Sequence, residues 1–257
     1  MRHLPAEGGG VSRGRRRFPD PRSTTADGLL AVGGNLDVET LCEAYETGIF
    51  PWPQEGLPLL WFSPVERGII DLEKETHWRS RFSRDVRKWL REGRLEIATN
   101  TCFEDVIRSC KEASRKGQDG TWILEEMEDA YIEMHRRGFA HSVEVFFDGD
   151  LAGGLYGVFI KGVFSGESMF HRKSDAGKVA LAFLIEELRS AGFGFVDVQM
   201  VTPVVASFGG VLISREDYLM RLELAQKRWE LGVCRYEWAR GPVSLSRIAS
   251  KLNVEMS

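Results

Sequence analysis

The stretch GVFSGESMF (residues 162–170) sets one carboxylate, Glu167, among small and apolar residues, with Phe164 before it and Met169 and Phe170 after. Burying an unpaired carboxylate costs several kcal/mol, on the order of the penalty for an isolated charge. Two readings answer that cost. One is a salt bridge or a hydrogen-bonded turn; the other is a small-ligand pocket with apolar walls and a single fixed charge. A second polar pair, Asp197 and Gln199, stands two apart in FVDVQ, a spacing that turns both side chains to one face of a strand. On the residues alone, a hydrogen-bonded strand end is the favoured reading of that pair. The third source of chemistry is charge. Between Arg79 and Arg94 the run RSRFSRDVRKWLREGR carries seven basic residues against Asp85 and Glu92. Its Phe82, Val86, Trp89 and Leu90 recur at helical spacing, so the stripe docks on a core and the cations stay outside. That face is either plainly solvated or an electrostatic footprint for nucleic acid.

The elements that must position these groups follow from punctuation and periodicity. Residues 1–17 are Gly- and Arg-rich without periodicity and read as a disordered basic tail. From 18 to 72 the chain is turn-rich (FPDP, GGN, FPWP, FSP), with one clear helix from Asp37 to Thr47, capped by Asp37 and stopped by Gly48. Tyr45, Phe50, Trp52 and Trp61 cluster about that helix and form a core or line a cleft. From 73 to 257 the pattern is mixed. RLEIATN reads as a strand, CFEDVIRSCKEASRK and WILEEMEDAYIEMHRRG as helices, and residues 141–170 as strands turned at DGD and KG. Ser174 or Asp175 then caps a helix to Ala191, FGFVDVQM is a buried strand, EDYLMRLELAQKRWEL is a helix, and the last 25 residues are ambiguous. The expected fold is α+β (α/β-type): a small amino-terminal domain packed on a larger domain with a carboxy-terminal extension.

Composition narrows the class. Over 257 residues, 43% hydrophobic and 28% charged content with a net charge of −4 describe a soluble globular chain. No run approaches the ~18 apolar residues of a membrane span, and the basic amino terminus lacks the apolar core of a signal peptide. Cys42, Cys102, Cys110 and Cys234 are scattered with no CxxC pair, which fits a reducing cytoplasm and offers neither a zinc site nor a disulfide framework. No His/Cys/Asp cluster has ligand spacing, so neither metal nor cofactor is expected.

Three stretches in order go beyond pattern: GLLAVGGNLDVETLCEAYETGIFPW with LLWFSP, then TWILEEMEDAYIEMHRRGFAHSVEVFFDGDLAGGLYGV, then FSGESMF followed by DVQ. Over about residues 18–220 the chain resembles the bacterial leucyl/phenylalanyl-tRNA–protein transferases. The resemblance implies a GNAT-like acyltransferase fold for the large domain. It also implies an enzyme that moves Leu or Phe, and Met less readily, from aminoacyl-tRNA to a protein beginning with Arg or Lys. The product is marked for N-end rule degradation. By matching positions, Glu167 fixes the donor, and Asp197 polarises Gln199, which contacts the attacking amine. Leu155, Phe164, Met169, Leu184 and Leu188 match the donor pocket. Trp52, Trp122, Tyr131 and Tyr45 match aromatics at or near the donor site, where base stacking suits the universal CCA end. Arg79, Arg81, Arg84, Arg87, Lys88 and Arg91 would hold the acceptor stem through phosphates. The implied partners are aminoacyl-tRNA and acceptor proteins, with no membrane, and a monomer is the default.

The chain departs from the family in two places: Val204 stands where a His often follows the proline, and His171 where a small hydroxyl residue is common. Three rivals stand beside this reading. An acyl-CoA-dependent N-acetyltransferase would need a Q/R-x-x-G-x-G/A turn, but HRKSDAGKVAL places Asp175 where phosphate would sit. A non-catalytic RNA-binding protein would not need Asp197 or Gln199. An aminoacyl-tRNA-dependent transferase with another acceptor, such as a cell-wall peptide, shares the donor logic.

Overall fold

The structure, a computed structural model, describes residues 2–4, 17–54, 56–74, 84–113 and 123–252. Arg79, Arg81 and Trp122 lie outside the described residues, as does the side chain of Arg84.

The first sheet has four short strands, β1 (Arg2–Leu4), β2 (Leu29–Gly33), β3 (Phe50–Pro51) and β4 (Leu60–Phe62), in the order β1-β2-β4-β3. Residues 2–4 were expected inside a disordered tail; instead they run parallel to β2, with Arg2 opposite Ala31. Helix α1 (Val38–Glu46) packs beside this sheet. Its start is a carboxylate cap, Asp37 accepting from the Thr40 N–H at 2.6 Å, and Gly48 ends it at φ +82. Leu41, Ala44 and Tyr45 form its buried stripe, against Ile49, Trp61 and Phe18.

The second sheet has eight strands: β5 (Glu66–Asp71), β6 (Leu95–Thr99), β7 (Ala140–Phe147), β8 (Asp150–Ile160), β9 (Val163–His171), β10 (Phe195–Gln199), β11 (Gly210–Ser214) and β12 (Gly241–Pro242). Their order is β11-β5-β10-β9-β8-β7-β6-β12, antiparallel except where β10 runs parallel to β9. The β7–β8 and β8–β9 turns put both central residues at positive φ, Asp148 and Gly149 in one and Lys161 and Gly162 in the other. That is the requirement of two-residue hairpins whose twist matches the strands. Strand β5 belongs to this sheet, so along the chain the passage from the small sheet to the large one falls between Phe62 and Glu66.

Helices α2 (Arg84–Arg91), α3 (Phe103–Glu112), α4 (Glu125–Arg136), α5 (Ala176–Ser190), α6 (Pro203–Ser207), α7 (Arg215–Glu230) and α8 (Leu245–Leu252) clothe the sheet. Alternation along the strands sorts their faces. Leu155, Phe164 and Val196 share a core with α5, whereas Val163, Phe195 and Ile69 share one with Tyr218, Leu219 and Leu222 of α7. Helix α5 starts at the expected place without the expected cap: Asp175 is left-handed at φ +66, and its carboxylate pairs with Lys178 at 2.8 Å. The sequence pattern missed α6 and β11, and the ambiguous carboxy-terminal segment contains β12 and α8. Among the described residues no helix is long and apolar enough to cross a membrane.

Candidate active site

Glu167 projects from an irregularity in β9. Tyr156 pairs with Ser168 and Gly157 with Gly166, so Glu167 is the extra residue of a bulge, the device by which a strand re-aims a side chain. Gly157 makes room for it: a Cβ there would lie 2.3 Å from the Ser165 carbonyl oxygen and 2.6 Å from the Phe164 ring. Glu167 is half-buried because one side of it faces a cleft, while its carboxyl sits deep. Tyr45 Oη lies 2.8 Å from Oε1 and Tyr131 Oη 3.2 Å from Oε2, and the two hydroxyls also bond each other; the two phenol protons serve two of these three contacts, and a proton on the carboxyl supplies the third. The partners that the sequence demanded are therefore phenols, with no cation among its hydrogen bonds. Burial pushes the Glu167 carboxyl up to about 7, against the lowering effect of the Tyr45 bond. Burial likewise raises Tyr45 and Tyr131 well above the ordinary phenol value, so both stay protonated donors.

Asp197 and Gln199 do not share a face, contrary to the strand reading. A second bulge intervenes: Asp197 pairs with Ile69 and Gln199 with Gly68, leaving Val198 as the extra residue. Gly68 admits this kink, since a Cβ there would stand 2.9 Å from the Met200 backbone. Gln199 takes φ +52 and joins Val196 and Val198 on the cleft side, while Asp197 points into the α7 side, fully buried. Its Oδ1 accepts from Arg67 Nε at 2.8 Å and from the Gln199 backbone N–H at 3.1 Å. Its Oδ2 accepts from Arg67 at 2.7 Å, and from Ser165 and Tyr218 at 3.1 Å each. Asp197 thus holds the Gln199 backbone, not its side chain. Arg67, 1% exposed, is gripped between the rings of Phe50 and Tyr218 at 4.5 Å each. Sequence reading missed Arg67; the signal was an arginine at the start of the apolar strand ERGIID, where only a buried partner would keep it.

We assign the Gln199 amide with its NH2 toward Gly166 O at 2.9 Å and Val198 O at 3.0 Å, which employs both hydrogens. The opposite orientation offers a single 3.4 Å contact to Glu167 Oε1. In the assigned orientation the carbonyl oxygen lies on the Glu167 side, where it favours a protonated carboxyl.

These groups lie together on one half-open cleft. Phe50 and Trp52 wall it from the small sheet, Leu155, Phe164, Met169 and Leu184 from the large sheet and α5, and Thr202 and Val205 from the α6 region. Of the residues that the resemblance implied, Trp52, Leu155, Phe164, Met169 and Leu184 line this cleft. Leu188 does not: one turn along α5 it is buried in the core, away from the lining. Tyr45 and Tyr131 are buried behind Glu167 and present no open ring to a base. Val204 is half-buried on α6 beside the lining residue Val205, and His171 is exposed at the end of β9. On α2, Lys88 and Arg91 are exposed and Arg87 is half-buried, with Lys88 3.8 Å from Glu92. Among the described residues no group of three or more His, Cys, Asp or Glu could hold a metal ion.

An apolar cleft ending in a carboxyl and an amide, between a small sheet and a large one, has the make-up of a site that takes an apolar side chain and fixes the polar group it carries. Comparison with known proteins narrows it. The family description "Leucyl/phenylalanyl-tRNA protein transferase" matches residues 76–223, and that of its N-terminal domain matches residues 34–65. A leucyl/phenylalanyl-tRNA–protein transferase of Oleidesulfovibrio alaskensis is 43% identical over 225 residues, covering 83% of this chain and 89% of the relative. One from Anaeromyxobacter sp. strain K is 46% identical, covering 84% and 93%, and one from Pseudomonas fluorescens strain Pf0-1 is 45% identical, covering 87% and 98%. A solved structure, L-PGS from Bacillus licheniformis, is similar over 87% of this chain at 11% identity and a TM-score of 0.37, too distant to bear on the site. The chain belongs to the leucyl/phenylalanyl-tRNA–protein transferase family.

Proposed function

We propose that this protein transfers Leu or Phe from aminoacyl-tRNA to the amino-terminal Arg or Lys of acceptor proteins, and that the cleft ending at Glu167 and Gln199 is where it does so. The observation that carries the reading is the joining of an apolar pocket to those two polar groups. The donor side chain enters between Phe164, Met169, Leu155 and Leu184, which brings its ester carbonyl to the Gln199 end. The acceptor α-amine attacks that carbonyl; an amide C–N bond forms, the ester C–O bond breaks, and the proton leaving nitrogen ends on the released ribose oxygen. Gln199, through its carbonyl oxygen, accepts an N–H of the incoming amine and orients it. Glu167, poised near neutrality beside it, is the group able to relay the proton. Asp197 serves by position, holding Gln199 in its left-handed turn, which replaces the polarising role expected from sequence. The aminoacyl mark then exposes the acceptor to N-end rule degradation.

Trp52, at the mouth of the cleft, is the aromatic suited to the terminal adenine, and the exposed cations of α2 suit acceptor-stem phosphates. The parallel β9–α5–β10 crossover in an otherwise antiparallel sheet supports assigning the large domain to the GNAT-like fold, with the boundary near residue 65. A CoA pyrophosphate at the start of α5 would meet the Asp175 carboxylate, which disfavours the acetyltransferase rival.

The test is transfer of radiolabel from Leu-tRNA or Phe-tRNA to a peptide beginning with Arg, with the same peptide beginning with Ala as control. Label passing only to the Arg peptide, and falling at least ~100-fold in Gln199→Ala, is the expected result. Equal labelling of both peptides, or none, overturns the proposal.

A further inference from the structure

The apolar floor of the cleft has a second layer that comes from outside the family-matched segment. Phe164 lines the cleft but is only 1% exposed, so most of its ring faces inward. One side of that ring lies over Gly157, the glycine whose added Cβ would stand 2.6 Å from it. Behind it lies Trp238, ring centroids 5.3 Å apart. Trp238 belongs to the segment between α7 and α8, beyond the matched residues 76–223. It is clamped on its far side by His141, stacked at 4.4 Å and nearly parallel, and by Tyr236 edge-on at 5.0 Å. Its indole N–H is shielded from solvent and has no acceptor among the described residues, so the side chain is held by its ring contacts.

The backbone around it is pinned at both ends. The Ala239 carbonyl accepts from Thr99 Oγ1 and Asn100 Nδ2 at 3.0 Å each, and β12 pairs with β6. Glu187, 2% exposed on α5, receives Tyr236 at 3.1 Å, Arg247, and Lys251 at 3.4 Å, all three from the carboxy-terminal segment. A segment fastened this firmly behind a pocket wall determines how far that wall can retreat.

We propose that Trp238 is a specificity-determining positioning residue: by backing Phe164 it sets the depth of the donor pocket, and hence the balance between the branched Leu and the longer, planar Phe side chain. This rests on the functional reading above. An apolar pocket discriminates through shape, about 10- to 200-fold per methylene. A residue one layer back acts through the few tenths of an ångström by which Phe164 can shift, so its share is smaller.

The test compares kcat/KM for Phe-tRNA and Leu-tRNA, with one Arg peptide, in wild type, Trp238→Leu, Trp238→Phe and Tyr236→Phe. Removing the indole lets Phe164 withdraw, so the Phe-to-Leu ratio should rise about fivefold in Trp238→Leu and less in Trp238→Phe. Tyr236→Phe loses the bond to Glu187 but keeps its ring on Trp238; its melting temperature should fall with the ratio unchanged. A folded Trp238→Leu enzyme whose ratio stays within about twofold of wild type overturns the inference alone. A wild type that transfers neither residue overturns the functional reading, and the inference falls with it.

Discussion

At the scale of single residues, Glu167 and Asp197 show how two buried carboxylates diverge by environment. Asp197 has Arg67 on both oxygens and is spent as a structural charge; Glu167 has phenols and rises to about 7. Two predictions belong here. If ionised Glu167 relays the proton, kcat/KM rises through about pH 7, and Glu167→Gln loses that limb. The same residue has a stability signature. Unfolded, it titrates near 4.5; folded, near 7. Between those values the unfolded chain binds fewer protons, so stability falls as pH rises, and the loss is complete above about 7. Glu167→Gln should therefore raise the melting temperature relative to wild type more at about pH 8 than at about pH 5. An equal offset at both would refute the assignment. For Asp197, removing one partner leaves a buried uncompensated charge: Arg67→Met should cost about 3–5 kcal/mol in urea unfolding, and Arg67→Met with Asp197→Leu should recover part of it. A double variant no more stable than Arg67→Met would show that the pair does not act as a unit.

At the scale of elements, two bulges and two glycines build the site. The bulge in β9 aims Glu167 and the one in β10 aims Gln199, and each is faced by a glycine, Gly157 or Gly68, on the neighbouring strand. The obstruction at either glycine is backbone, which cannot swing away as a side-chain tip would. Gly68→Ala should thus push Met200 and Gln199 outward, costing about 1–3 kcal/mol and, because a displacement near 1 Å is expensive, roughly 100-fold in kcat. Full activity in Gly68→Ala would mean that the β10 kink is not needed for transfer. Helix α1, the hairpins and α5 were legible from caps, turn residues and apolar spacing, because those signals are local. The bulges were not, since an extra residue is defined only against its partner strand. The left-handed Asp175 escaped for a related reason: its carboxylate had Lys178 within reach and did not have to cap.

At the scale of the whole molecule, the cleft lies between two sheets, and its walls come from β3, β8, β9, α5 and the α6 region. The carboxy-terminal segment completes the large domain: Ile248 and Leu252 of α8 join the core shared by α5, and Glu187 depends on that segment for its cations. A chain ending at residue 232 should therefore fail to fold cooperatively or lose several kcal/mol, from exposed core and a stranded carboxylate. A truncated chain melting within a few degrees of the full one would refute this.

The sequence by itself determined the mixed α and β organisation, the small amino-terminal domain, most helix limits, the family and part of the lining of the apolar cleft. Each rests on local periodicity or on motifs long enough to be distinctive. Only the tertiary structure decided that Tyr45 and Tyr131 are the partners of Glu167, that Arg67 consumes Asp197, that Leu188 is core, and that Trp238 stands behind Phe164. Those facts depend on side chains up to about a hundred and thirty positions apart meeting at one point. Such meetings follow from strand order and register, which spacing along the chain does not encode.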